Sequence, residues 1–142
     1  MPASFHEHEV KSGLKGKRKL SAYLDSLVNE YRKGKGKTSL TYIFCIDEYL
    51  LGINKQFLDH DTYTDIITFD LTGEGELLTG EIYISTERIE ENAVKFGTSY
   101  NDELHRVIFH GALHLCGFKD KSAADKKKMR EMEDSCLQAY FK

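Results

Sequence analysis

The chain has 142 residues, 40% hydrophobic and 30% charged, with a formal net charge of −3. That length and balance fit one globular domain with its own core and exclude a disordered chain or a globally basic nucleic-acid binder. No run of about 18 apolar residues occurs, and MPASFHEHEV lacks a basic segment followed by an apolar one, so neither a membrane span nor a secretory leader is expected. Cys45, Cys116 and Cys136 are scattered and odd in number, which points to reduced thiols in a cytoplasmic protein. Cys116 reads as an apolar filler.

In chain order, residues 4–10 read as a short polar edge strand. Over 17–32, Leu20, Tyr23, Leu24, Leu27, Val28 and Tyr31 recur at three- and four-residue steps, the pattern of an amphipathic helix, with Gly34 and Gly36 as its stop. Residues 38–46 alternate, placing Leu40, Tyr42, Phe44 and Ile46 on one side of a strand. Asp47 is expected to cap a short helix reaching about Phe57. DIITFDL at 65–71 reads as a buried strand. Residues 77–85 read as a second strand, and TGEGE between the two is turn-forming, so a hairpin is predicted. Ser85 or Thr86 caps a helix closed by Gly97. Ser99 with Asp102 resembles a capping box opening a helix of about 16 residues that ends at Cys116, with Gly117 next. Ser122 caps a last helix with Met129, Met132, Cys136 and Tyr140 on one face. The order β-α-β-α-β-β-α-α-α, with no repeat or linker, predicts one α+β domain spanning 1–142. Its architecture is a small mixed sheet of about four strands with helices packed on it.

The chemistry concentrates in FHGALHLCGFKD. His110 and His114 are four apart on a predicted helix, which puts both imidazoles on one face with Cβ atoms about 6 Å apart. Such a pair alone is more often incidental than a metal site. Gly117 lets the chain turn back after the helix, so that Asp120 can reach the same ion. Two neutral imidazoles and one carboxylate leave a fourth position open, as in a catalytic metal centre at the end of a central helix. One zinc ion suits these donors, and manganese or nickel suit them as well. Gly111 would allow close approach of another backbone or a substrate. His105 lies about 140° around the helix from His110 and reads as a surface or packing residue; His6, His8 and His60 have no helical partner.

Three basic clusters stand out: Lys11 to Lys19, Lys33 to Lys37, and Lys119 to Arg130. Each is ordinary solvated surface or a border of the cleft that attracts a polyanion.

His110-Gly111-Ala112-Leu113-His114-Leu115-Cys116-Gly117-Phe118-Lys119-Asp120 resembles the signature of the YbeY family, His-Gly-x-Leu-His-Leu-x-Gly-aromatic-Asp-His. Thr64-Asp65-Ile66-Ile67-Thr68-Phe69 and Gly80-Glu81-Ile82-Tyr83-Ile84-Ser85 resemble two upstream family strands, in family order and spacing. The resemblance implies a metal-dependent endoribonuclease that matures ribosomal RNA, acting on single strands and meeting ribosomal particles or ribosome-associated proteins. Its three-histidine shell would map to His110, His114 and Asp120. A carboxylate in the third place adds negative charge, so a bound water is expected to be less acidic there. Lys119 stands where the family has aspartate, and Leu58 where it tends to have arginine.

No general base is legible. Glu81 is a candidate carboxylate near the site, or a residue that orients a histidine or simply lies at an edge; Asp65 reads as a structural hydrogen-bonder, and Tyr83 as core more often than as a ring that stacks on a base. Gly111 occupies the position where the H-E-x-x-H metalloproteases carry glutamate, which argues against that class. Two other expectations stay open: hydrolysis of a peptide or amide, and a non-catalytic ribosome-assembly factor with a structural metal.

Overall fold

The computed structural model describes residues 1–32, 37–59, 62–73 and 77–142. Four strands and five helices follow one another as β1 (Ala3–Glu7), α1 (Lys17–Tyr31), β2 (Thr38–Cys45), α2 (Asp47–Leu58), β3 (Ile66–Asp70), β4 (Leu78–Ser85), α3 (Thr86–Phe96), α4 (Tyr100–Leu115) and α5 (Ala123–Phe141). This is the predicted order. The strands form one mixed sheet, β1-β2-β4-β3, in which only β3 runs antiparallel to its neighbour. Ile67 pairs with Tyr83 in the predicted hairpin. The residues between Thr72 and Leu77 that would turn it lie partly outside the described residues, as do Gly34, Gly36 and His60.

Strand alternation divides the core. Leu40, Tyr42, Phe44, Leu78, Ile82 and Ile84 point to one face, where they meet α1, α4 and, through α4, α5. Cys45 and Ile67, with Phe69 and Tyr83 partly buried beside them, point to the other face and meet Leu50 and Ile53 of α2. Helix α4 is the centre of the larger layer: Leu104, Val107, Ile108, Phe109, Ala112 and Leu113 are buried along it. Gly111 lets it lie close to the sheet. A Cβ there would stand 3.0 Å from Ile82 Cγ2 and 3.2 Å from Ile66 Cδ1. The close approach is thus to sheet side chains, and not to a backbone or substrate.

Three local readings are corrected. β2 stops at Cys45, so Ile46 leaves the strand face and becomes the N-cap of α2. Asp47 is the first helical residue and caps nothing with its side chain. Its carboxylate instead accepts from Ser85 Oγ at 2.5 Å and Arg88 Nη2 at 2.8 Å, because the start of α3 lies beside it. β3 is an edge strand, only half covered, although its β-branched sequence reads as buried. That uncovered edge opens the space described next.

Candidate active site

Where β3 leaves the α4 side of the sheet exposed, a cavity of about 640 Å³ opens between β3, α3, α4 and α5. His110, His114, Glu103 and Arg106 of α4 line it, with Asp120 and Lys121 from the following loop, Glu133 and Arg130 from α5, and Thr64 and Asp65 ahead of β3.

The return of Asp120 to this cavity follows from the end of α4. Gly117 sits at φ 102, a backbone conformation that side chains other than hydrogen rarely adopt. The Phe118 N–H then donates to Leu113 O at 3.2 Å and the Gly117 N–H to His114 O at 3.0 Å, the two bonds of a Schellman ending. Phe118 is pinned by an edge-to-face contact with Tyr31, 5.4 Å between centroids. The chain therefore reverses, and Asp120 Oδ2 comes to 3.8 Å from His110 Nε2.

His110 is oriented from behind. Its Nδ1–H donates to Glu133 Oε2 at 2.7 Å. Glu133 is in turn held by Arg106 Nη1 at 3.1 Å, while Arg106 Nη2 reaches Asp134 at 2.6 Å. With Nδ1 occupied, the neutral imidazole presents its Nε2 lone pair toward Asp120. Burial opposes a charge on His110, yet the hydrogen bond and charge of Glu133, with Asp120 and Asp65 nearby, outweigh it and raise the imidazole's pKa. Burial also raises the carboxyls of Asp65 and Glu103 above the ordinary carboxylate range.

The cavity's charge is layered. Glu103 and Glu133 are buried and Asp65 is partly so, whereas Lys121, Lys126 and Arg130 stand exposed at the rim. None of those three cations is in an ion pair among the described residues. The basic cluster from Lys119 to Arg130 borders the cavity through these residues, though Lys119, Lys127 and Lys128 do not line it; Lys33 and Lys35 of another cluster lie outside the described residues.

The three residues singled out from the sequence thus line one cavity, and His110 and Asp120 face each other. His114 shares the wall, but no three His, Cys, Asp or Glu side chains among the described residues stand close enough together to hold a metal ion as they are placed. Glu81 does not take part. It alternates with Ile82, which packs on α4, so Glu81 lies on the α2 side, accepting from the Tyr83 hydroxyl at 3.1 Å. Leu58 is exposed at the end of α2 and does not line the cavity. His105 is buried, its Nδ1–H donating to Asn101 O at 2.8 Å, in the packing role expected of it. Burial raises the half-buried Cys116 thiol to about 11, as suits an inert filler.

Sequence reasoning missed Glu133 and Arg106. A signal for Glu133 was present: a lone carboxylate inside the apolar stripe of Met129, Met132, Cys136 and Tyr140. A buried charge at such a position needs a partner.

These features define a class: a small α+β domain whose buried central helix carries paired histidines into a charged cleft. Residues 5–141 match the family model described as Endoribonuclease YbeY. The chain is 43% identical over 137 residues to an endoribonuclease YbeY of Bacteroides thetaiotaomicron, covering 96% of this chain and 98% of that one. It is 45% identical over 133 residues to that of Flavobacterium johnsoniae, covering 94% of each. A solution structure from Thermotoga maritima superposes with a TM-score of 0.63 at 27% identity, covering 98% of this chain and 89% of that one. The chain belongs to the YbeY family of endoribonucleases.

Proposed function

We propose that this protein is a single-strand-specific endoribonuclease of ribosomal RNA maturation, with one divalent cation, zinc first, held by His110, His114 and Asp120. The observation that carries the metal reading is the His110–Asp120 pair. Two donors on one tetrahedral zinc stand roughly 3.3 Å apart, from bond lengths of about 2.0–2.1 Å. His110 Nε2 and Asp120 Oδ2, at 3.8 Å, are close to that spacing. Glu133 on the far nitrogen is the usual partner of a metal-binding imidazole. These two contacts support a cation at His110 and Asp120, with His114 as the third donor from the same cavity wall.

When bound, the cation supplies Lewis acidity toward a phosphate. The chain's own residues do the rest. Lys121, Lys126 and Arg130 at the rim draw in and hold the polyanionic backbone. Glu133 keeps His110 in one tautomer and one orientation, and Arg106 holds Glu133 against rotation. A cytoplasmic location and an encounter with ribosomal particles accord with the substrate. No helix among the described residues is long and apolar enough to cross a membrane.

Labelled single-stranded RNA offered to purified protein, with and without chelator, tests the proposal. Cleavage that stops with chelator and in His114→Ala is expected. Binding to ribosomal particles with no cleavage would mark an assembly factor instead, and peptide turnover at the same site would mark a different hydrolase.

A further inference from the structure

One stretch of the cavity wall has no part in holding an ion. It is formed by Asn92 and Phe96 of α3 and by Thr68 of β3. Asn92 and Phe96 are four residues apart and so share a helix face. Thr68 pairs with Ile82, and therefore projects on the α4 side of the sheet, at its open edge. A half-exposed phenylalanine alone is unremarkable on a protein surface. Its company here is not. Phe96 is 52% exposed, and no other aromatic ring stacks on it among the described residues. Lys95 Nζ stands 5.6 Å from its ring centroid. The Asn92 amide and the Thr68 hydroxyl have no hydrogen-bond partner among the described residues. An apolar ring and two unused polar groups thus line the same cavity as His110 and the rim cations.

We propose that Phe96, Asn92 and Thr68 form a nucleobase subsite: the ring stacks on an unpaired base flanking the scissile phosphate, while the amide and hydroxyl bond to that base's edge. The proposal rests on the endoribonuclease reading and sharpens it. Stacking suits any base, because every base has a π face, whereas an Asn amide supplies a donor and an acceptor together. In a duplex the faces are stacked and the pairing edges are used, so the subsite would admit single strands and reject paired ones. The rim cations supply the phosphate contacts that such a base would bring with it.

The chain contains no tryptophan, so Phe96→Trp adds a single fluorophore that keeps an aromatic ring in place. The metal-loaded protein is titrated with a short single-stranded 2′-O-methyl RNA, and separately with its duplex; cleavage of ordinary labelled RNA by the wild type is scored alongside. The introduced indole should be quenched by the single strand and not by the duplex. Phe96→Leu should weaken single-strand binding about tenfold, while Val94→Ala, which removes an exposed apolar side chain of the same helix outside the cavity, should leave it unchanged. Asn92→Ala should flatten differences in affinity among bases at one position. Wild-type cleavage together with an unquenched indole and an unweakened Phe96→Leu would overturn the subsite and leave the endoribonuclease reading standing. Quenching and weakening without wild-type cleavage would uphold the subsite and remove that reading.

Discussion

His105 and His110 sit on the same helix, five residues apart, in contrasting surroundings. His105 is enclosed by aromatic rings: Tyr140 stacks at 5.5 Å, and Phe109 and Phe141 lie at 6.2 and 4.8 Å. Its one hydrogen bond among the described residues goes to a backbone carbonyl, and burial lowers its pKa, holding it neutral. His110 opens onto the cavity and is gripped by a carboxylate that raises its pKa. The residue type is therefore silent about role. One side of the helix makes stability and the other makes chemistry, and the division is set by what α5 brings to each: rings at its end, Glu133 at its middle.

The division can be broken experimentally. The largest expected effect is on activity: His114→Ala should reduce RNA cleavage by two orders of magnitude or more, on the order of what loss of a metal ligand costs. With both proteins metal-free, its folding stability should stay within about 0.5 kcal/mol of wild type, because the side chain is exposed. Urea denaturation beside a cleavage assay checks both. The mirror-image change is Phe109→Ala, which empties a fully buried site between Tyr23 and Tyr140. It should cost about 3–5 kcal/mol of stability in the same denaturation experiment.

A smaller effect is expected at the turn that joins the two sides. Gly117→Ala imposes a side chain on a backbone at φ 102 and should cost about 1–2 kcal/mol. It should also lower metal content, since Asp120 depends on that reversal. The smallest effect is a pH dependence. Because the folded protein depresses the pKa of His105, the unfolded chain binds more protons as pH falls. The stability this residue contributes is present above its ordinary value near 6.5 and is lost as pH drops through its lower folded value. In His105→Phe, the denaturation midpoint should therefore fall less steeply over that acid range than in the wild type.

The elements were legible because their signals are local. Ser85, Ser99 and Ser122 each accept a backbone N–H at a helix start, and Gly97 and Gly117 each close a helix at positive φ. The His110–His114 spacing and the turn at Gly117 likewise lie within a dozen residues, which made Asp120 a candidate from the sequence. Glu133 and Arg106 lie 27 residues apart on different helices, and no local pattern joins them. Glu81 stayed open between two readings for a related reason. Alternation along β4 separates it from Ile82, but which face of the sheet α4 covers is a tertiary fact. The same holds for β3, whose apolar sequence says nothing of its place at the sheet edge.

Metal analysis of the purified protein tests the central claim most directly. Wild type and Asp120→His should each carry about one divalent ion per chain, the single open site expected of such donors, and Asp120→Ala should carry clearly less. An Asp120→Ala protein with the wild-type metal content would contradict the account, because it would place the ion away from the His110–Asp120 pair.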